Sequence, residues 1–148
     1  MVSASVALWP KNSRGADIGL SYAKSQDEAE TAAARVRDEG RRAVTLQADL
    51  STPAACAALV AGTIQALGRI DILTNMASVY SKRPFDELRP SDWDASMSVD
   101  LRASFLCAQA AAPHMRQQGG GRIVNFSDWT AKSGRPRYRG WRRVRSSR

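Results

Sequence analysis

Short apolar segments alternate with longer amphipathic segments along this chain, and this alternation constrains the fold more than any other feature. The apolar segments predict four strands, at residues 16–22, 43–46, 70–74 and 122–126. The segments between them predict helices, at residues 27–39, 53–67 and 92–117. Strands that alternate with helices in this way build right-handed βαβ units. We therefore expect an α/β fold, a doubly wound parallel sheet of about four strands with flanking helices.

Both ends of the chain depart from this alternation. Pro10 halts the short apolar run at the start, so we expect residues 1–14 to be an irregular remnant of a helix. Residues 132–148 carry eight basic residues and no acid, and their apolar periodicity is lost. We expect that arginine-rich tail to be disordered. The domain itself is expected within residues 1–131.

Composition argues against several classes of protein. The net charge is +8, but residues 1–131 hold 14 basic and 14 acidic residues, so the body is neutral. A neutral body is not typical of a nucleic-acid-binding surface. No apolar run approaches the roughly 18 residues of a membrane span. Cys56 and Cys107 lie among alanines, which is typical of reduced thiols in a cytoplasmic protein, and the single His114 predicts no metal site.

The segment from Arg69 to Tyr80 has the pattern of a buried strand with a polar exit. Its apolar run ends at Leu73, and small or polar residues follow at once: Thr74, Asn75, Ala77 and Ser78. In open α/β sheets, ligands bind outside the carboxyl ends of the strands. The segment therefore predicts part of a ligand site, with an ordinary loop between strand and helix as the alternative.

Five short motifs follow one another along the chain: Gly15-Ala-Asp-Ile-Gly-Leu-Ser-Tyr22, Ala48-Asp49-Leu50, Asp71-Ile-Leu-Thr-Asn75-Met-Ala77-Ser78, Ser98-Val-Asp-Leu101 and Gly121-Arg-Ile-Val-Asn-Phe-Ser-Asp128. In order and spacing they resemble the short-chain dehydrogenase/reductase family. The resemblance implies an incomplete, Rossmann-like NAD(P)-binding domain. It also implies an oxidoreductase of the alcohol dehydrogenase or 3-oxoacyl reductase type.

The resemblance implies how two of the loops would hold the cofactor. The loop Asn75-Met76-Ala77-Ser78 resembles the one that floors the nicotinamide pocket in this family. Met76 replaces an amide there, so one hydrogen-bonding group is missing, and a core-filling role is the alternative. Asp49, followed by Leu50, resembles the acid that binds the adenine amino group, and a turn or capping role is equally open.

The exit of the strand at 16–22 bears on which cofactor is bound. Ser21, Tyr22 and Lys24 stand there with no acid among them. An acid at that point would bind ribose hydroxyls and repel a 2′-phosphate. The sequence therefore favours NADP(H) over NAD(H), with a merely solvated Lys24 as the alternative.

Catalytic residues are implied after the last strand and in the longest helix. The family places a serine after this strand, beside a Tyr-x-x-x-Lys pair that carries the proton. In register, Asp128 takes the serine's place, which resembles the pteridine-reductase branch. Ser127 is the alternative, and Asp128 can also cap a turn. Asp100 aligns with the family's asparagine, which holds a proton-relay water, and its charge would alter the local pKa balance.

Two parts of the family pattern are missing from the sequence. Residues 1–14 contain no glycine-rich phosphate loop, and only Tyr138 and Arg142 stand at the Tyr-x-x-x-Lys spacing. We expect a truncated and impaired copy, with a reading-frame change near Trp141. The implied function is NADP(H)-dependent chemistry on a small-molecule carbonyl or C=N substrate. The alternative is an inactive binding fragment that forms a homo-oligomer through the 92–117 helix.

Overall fold

The computed structural model describes residues 2–8, 15–79 and 83–127. Within them lie five strands and four α-helices: β1 (Val2–Leu8), β2 (Asp17–Tyr22), α1 (Gln26–Asp38), β3 (Ala43–Gln47), α2 (Pro53–Leu67), β4 (Ile72–Asn75), α3 (Pro90–Met97), α4 (Ala103–Gln117) and β5 (Arg122–Asn125). The expected tail at 132–148, with Tyr138 and Arg142, lies outside the described residues.

The strands form one sheet in the order β3-β2-β1-β4-β5. β2 pairs with β3, and β4 with β5, in parallel. β1 is antiparallel to both of its neighbours, β2 and β4. The strands β2 to β5 therefore all run in one direction, as the sequence predicts, and β1 runs against them.

β1 is the main difference from the sequence-based expectation, which was an irregular remnant over residues 1–14. Its register runs from Val2 opposite Tyr22 to Leu8 opposite Asp17, with Ala4 opposite Asn75 on the other side. A central strand pairs its backbone groups on both sides, which a short helix ending at a proline could not do. Tertiary pairing therefore decides the structure of this segment.

Helix α2 matches its sequence signals at both ends. The Thr52 hydroxyl accepts a hydrogen bond from the Ala55 amide at 3.4 Å, and Pro53 takes the first helical position. Gly68 ends the helix with a φ of +88°, a conformation that favours glycine. The predicted bounds of 53–67 are confirmed.

Helices cover both faces of the sheet. α1 packs on β2 and β3, while α2 and α4 pack against each other and against the sheet. The core cluster joins α2, α4 and β4 through Cys56, Val60, Leu73, Cys107 and Ala111. Doubly wound folds have this two-sided arrangement.

A buried carboxylate anchors the start of β2, at the sheet edge opposite the candidate site. Asp17 accepts hydrogen bonds from the Arg42 backbone amide at 3.0 Å and from its guanidinium at 2.9 Å, and Arg41 lies 3.0 Å away. Burial alone would raise the pKa of Asp17, but these hydrogen bonds and the arginine charges together lower it. The cluster ties β2 to the beginning of β3.

The long helix expected at 92–117 is divided into three parts. α3 begins at Pro90 rather than at Ser91 or Asp92, and the π-helical segment Ser98–Arg102 separates it from α4. No helix within the described ranges is long and apolar enough to cross a bilayer. The same residues hold no group of three His, Cys, Asp or Glu side chains suited to a metal.

Candidate functional site

The carboxyl ends of the four parallel strands lie along one edge of the sheet. Backbone hydrogen bonds tie these exits together in pairs, since the Ala48 amide donates to the Tyr22 carbonyl and the Phe126 amide to the Asn75 carbonyl, each at 2.9 Å. This edge is where open α/β sheets bind their ligands. β1 reaches the same edge with its amino end.

The turn after β3 is built around Asp49. Its Oδ1 accepts a hydrogen bond from the Ser51 amide at 3.0 Å, and its carbonyl accepts from the Thr52 hydroxyl at 3.2 Å. Hydrogen bonds from Ser51, with a smaller contribution from the charge of Lys24, lower the pKa of Asp49. The turn role that the sequence left open is therefore present, while the side chain stays exposed at the rim. Leu50 beside it is buried in the core.

Two of the three side chains that the sequence predicts as cofactor ligands at the end of β2 are buried. Ser21 is 1% exposed and Tyr22 is 7% exposed, so both side chains pack inside the fold. Lys24 is exposed, and its charge reaches the Asp49 carboxylate. Of these three candidate cofactor ligands, Lys24 alone presents its side chain to a ligand at this edge.

The loop after β4 is held by its first residue. Asn75 is buried, and its amide donates to Asn125 Oδ1 at 2.8 Å and to the Ser104 carbonyl at 3.4 Å. The side chain therefore joins β4 to β5 and α4. Ala77 is half-buried and Ser78 is exposed.

Met76 does not fill the core, which was the alternative that the sequence left open. Its side chain is 42% exposed beside the sheet edge. Asn75 is turned inward by its hydrogen bonds, and the chain bends out of the sheet directly after it. Met76 thus presents an apolar side chain at the rim.

The π-helical segment Ser98–Arg102 connects two of these loops. Asp100 Oδ1 accepts a hydrogen bond from the Val79 amide at 2.9 Å, and the Arg102 guanidinium donates to the Ser51 carbonyl at 2.9 Å. Single π turns within helices are often found at functional sites. Asp100 therefore holds the loop after β4, whereas the resemblance implied a proton-relay role. Nothing in the sequence alone predicts Arg102 at this position.

These segments line an open cavity of about 730 Å³. Its walls come from Asp49 and Ser51 on one side, from Val79 on another and from the stretch Asp94–Arg102. The volume suits a ligand the size of a nucleoside, with room for part of a longer molecule. The cavity lies at the carboxyl edge, which agrees with the position that the sequence predicts for the site.

The predicted catalytic residues are only partly described. Ser127 is exposed two residues beyond β5, on the side of the Asn75 loop. Asp128 lies outside the described residues. The structure therefore brings Ser127, the Asn75 loop and the Asp49 turn to one edge, and it leaves the role of Asp128 as a prediction.

Four parallel strands in one sheet, with flanking helices and a cavity at their carboxyl edge, define the Rossmann-like α/β class. The sequence model of the short chain dehydrogenase family matches residues 12–140. The chain belongs to that family. The match begins after β1, so the reversed strand lies outside it.

Several known proteins are similar to this chain. The uncharacterized oxidoreductase YohF of Escherichia coli (strain K12) is 38% identical over 115 residues, which are 77% of this chain and 46% of that protein. A short chain dehydrogenase from Burkholderia cenocepacia J2315, solved in complex with NADP, aligns with a TM-score of 0.74 at 36% identity, covering 80% of this chain and 47% of its own. An acetoin dehydrogenase from Enterobacter cloacae aligns with a TM-score of 0.76 at 36% identity, covering 86% and 52%. The chain thus spans about half the length of these relatives.

Proposed function

We propose that this chain binds NADP(H) at the carboxyl edge of its sheet and serves an oxidoreductase that acts on a carbonyl or C=N group. One observation carries the proposal: the Asp49 turn, the Val79 loop and the π-helical segment line one open cavity, beside the strand end that leads to the exposed Lys24. The similar Burkholderia cenocepacia protein was solved with NADP. The similar Enterobacter cloacae protein is an acetoin dehydrogenase, which supports a small carbonyl or alcohol substrate.

The residues at the adenosine end fit this cofactor. Lys24 supplies a positive charge for a 2′-phosphate, and no acid stands between Tyr22 and Gln26 to repel one. Asp49 would accept a hydrogen bond from the adenine amino group with the lone pairs that Ser51 leaves free. Ala77 and Ser78 would lie against the nicotinamide half.

When bound, a nicotinamide cofactor supplies or accepts a hydride at the substrate carbon. The chain's own part is to orient the substrate and to move a proton. Asp128 would take the carboxyl role of the pteridine-reductase branch, with Ser127 as the alternative that would orient the substrate oxygen by a hydrogen bond. Asp100 would act indirectly, by holding the Val79 amide and hence the loop that carries Ser78.

Titration of the full chain with NADPH, followed by nicotinamide fluorescence, tests the proposal. We expect saturable binding that Lys24→Ala weakens by about fivefold, as for loss of one exposed ion pair of ~1 kcal/mol. Binding of NADH should not change in this variant. Arg35→Ala, which removes an exposed charge from α1, is the matched control. An absence of NADPH binding, or equal losses in both variants, contradicts the proposal.

A second candidate function is assembly through the 92–117 region. Trp93, Leu101 and Phe105 are exposed there, at 51%, 65% and 62%. Large apolar side chains grouped on one helical face often mark subunit contacts. Under this proposal the chain is a homo-oligomer, and Leu101→Glu with Phe105→Glu converts it to a monomer in size-exclusion chromatography. Ala54→Glu on the exposed side of α2 is the control. An unchanged elution volume for the double variant contradicts the assembly role.

The two thiols support a proposal for the location of the protein. Cys56 and Cys107 are free and buried. Unpaired cysteines of this kind support a reducing compartment, which we propose to be the cytoplasm.

A further inference from the structure

The central strand of this sheet runs in the opposite direction to its neighbours. β1 lies between β2 and β4 and is antiparallel to both. Val2 stands opposite Tyr22, at the carboxyl edge, and Leu8 stands opposite Asp17, at the other edge. The chain therefore leaves β1 on the side of the sheet away from the candidate site.

This direction matters for the part of a dinucleotide that carries most charge. In doubly wound folds the pyrophosphate lies where a central parallel strand ends and a helix begins, so that backbone amides and the helix dipole face it. Between β2 and β4 this chain presents the amino end of β1 instead. A helix that follows β1 cannot begin at the carboxyl edge.

The helices that begin after parallel strands have acidic or capping side chains at their amino ends. α1 carries Asp27 and Glu28 in its first turn. The first turn of α2 is capped by the Thr52 hydroxyl, and in α3 the Asp92 carboxylate accepts the Arg89 amide at 2.9 Å. Carboxylates in a first turn repel a phosphate that would otherwise be attracted there.

Near the Asp49 turn, where the adenosine end of the cofactor is proposed to bind, the chain provides a cavity and a positive charge. The cavity of about 730 Å³ lies beside the Asp49 turn, and the Arg102 guanidinium holds that turn through the Ser51 carbonyl. Lys24 is exposed, and the hydrogen bonds from the Ala48 amide to the Tyr22 carbonyl and from the Gln47 side chain to the Ala23 carbonyl hold its segment beside the Asp49 turn. A cation next to an open cavity of this size suits a purine nucleoside that carries a 2′-phosphate.

We infer that the chain binds NADP(H) through its adenosine 2′-phosphate half, and that the pyrophosphate adds little affinity. This inference rests on the proposed function and specifies which part of the cofactor the chain recognises. It predicts that a ligand lacking the nicotinamide and the pyrophosphate bridge binds as well as the whole cofactor.

Isothermal titration of the full chain with NADP+ and with adenosine 2′,5′-bisphosphate tests this inference. We expect dissociation constants within about threefold of each other, and Lys24→Ala should weaken both by the same factor. Arg35→Ala again serves as the control and should change neither.

The outcomes separate the inference from the proposed function. If NADP+ binds more than about tenfold tighter than the bisphosphate, the inference is wrong and the proposed function stands. If neither ligand binds, both fail. If both bind equally but Lys24→Ala weakens neither, recognition does not use the 2′-phosphate and the inference is again wrong.

Discussion

Replacing Gly19 by alanine tests the contact that sets α2 against β2. A Cβ atom at this position would lie 2.8 Å from Thr63 Cγ2 and 3.0 Å from its Oγ1. Ordinary carbon contacts lie at about 3.5–4.0 Å, so Thr63 or the helix must move. Thr63 is fully buried, and its hydroxyl donates to the Leu59 carbonyl at 2.8 Å, so rotation would break a buried hydrogen bond.

The expected cost follows from two opposing effects. Overpacking of a core costs about 1–3 kcal/mol. The loss of backbone freedom in the unfolded chain offsets this by about 0.5–1 kcal/mol. We therefore expect Gly19→Ala to lower the free energy of unfolding by roughly 1–2 kcal/mol. In urea this shifts the midpoint down by about 0.5–1 M, followed by circular dichroism.

Two further variants isolate the cause. Thr63→Ser removes the clashing Cγ2 and keeps the hydroxyl, so the double variant with Gly19→Ala should recover much of the loss. Gly62→Ala, within α2, is the matched control, because its Cβ would meet Leu46 of β3 at an ordinary 3.5 Å. It should stabilise the chain by about 0.5–1 kcal/mol. A neutral Gly19→Ala, or no recovery with Thr63→Ser, refutes the reasoning.

Three other predictions concern acid, thiol chemistry and strand direction. The pKa of Asp17 is lowered in the folded chain. Its carboxylate therefore stabilises the fold above the unfolded pKa, and this stabilisation is lost as the pH falls through the folded pKa. We expect Asp17→Asn to lower the free energy of unfolding by about 1–3 kcal/mol at pH 7 and not at all in strong acid, as measured by urea unfolding across pH. Burial raises the pKa of Cys107 to about 12. We therefore expect iodoacetamide at pH 8 to label this thiol only as fast as the chain unfolds. Rapid labelling in the native state would contradict the burial. Ser5 stands opposite Thr74, so Ser5→Cys with Thr74→Cys should form an intramolecular disulfide, whereas Ser3→Cys with Thr74→Cys should not. The reverse result would mean that β1 pairs with β4 in a different register.

Local signals in the sequence were sufficient for the four parallel strands and for α2. Thr52, Pro53 and Gly68 set the helix bounds by their own backbone and capping preferences, which need no distant partner. The position of the site at the carboxyl edge also followed, because strand direction in βαβ units is fixed by the connections.

The features that the sequence did not predict depend on contacts between distant segments. β1 is a strand because two strand edges flank it, and its apolar residues and Pro10 did not reveal that. The π-helical segment is held by Val79 and Ser51, which are far from it in sequence. Ser21 and Tyr22 were expected at the cofactor site, and both are buried because α1 and α2 pack on β2.

Amide chemical shifts of the full, isotope-labelled chain during titration with NADP+ test the central claim most directly. The account predicts that the shifts that change cluster at the carboxyl edge, in residues 23–24, 49–51, 76–79 and 98–102. Residues at the opposite edge, around Asp17 and Arg42, should remain unchanged. Changes concentrated at that opposite edge, or no changes at saturating NADP+, would contradict the account.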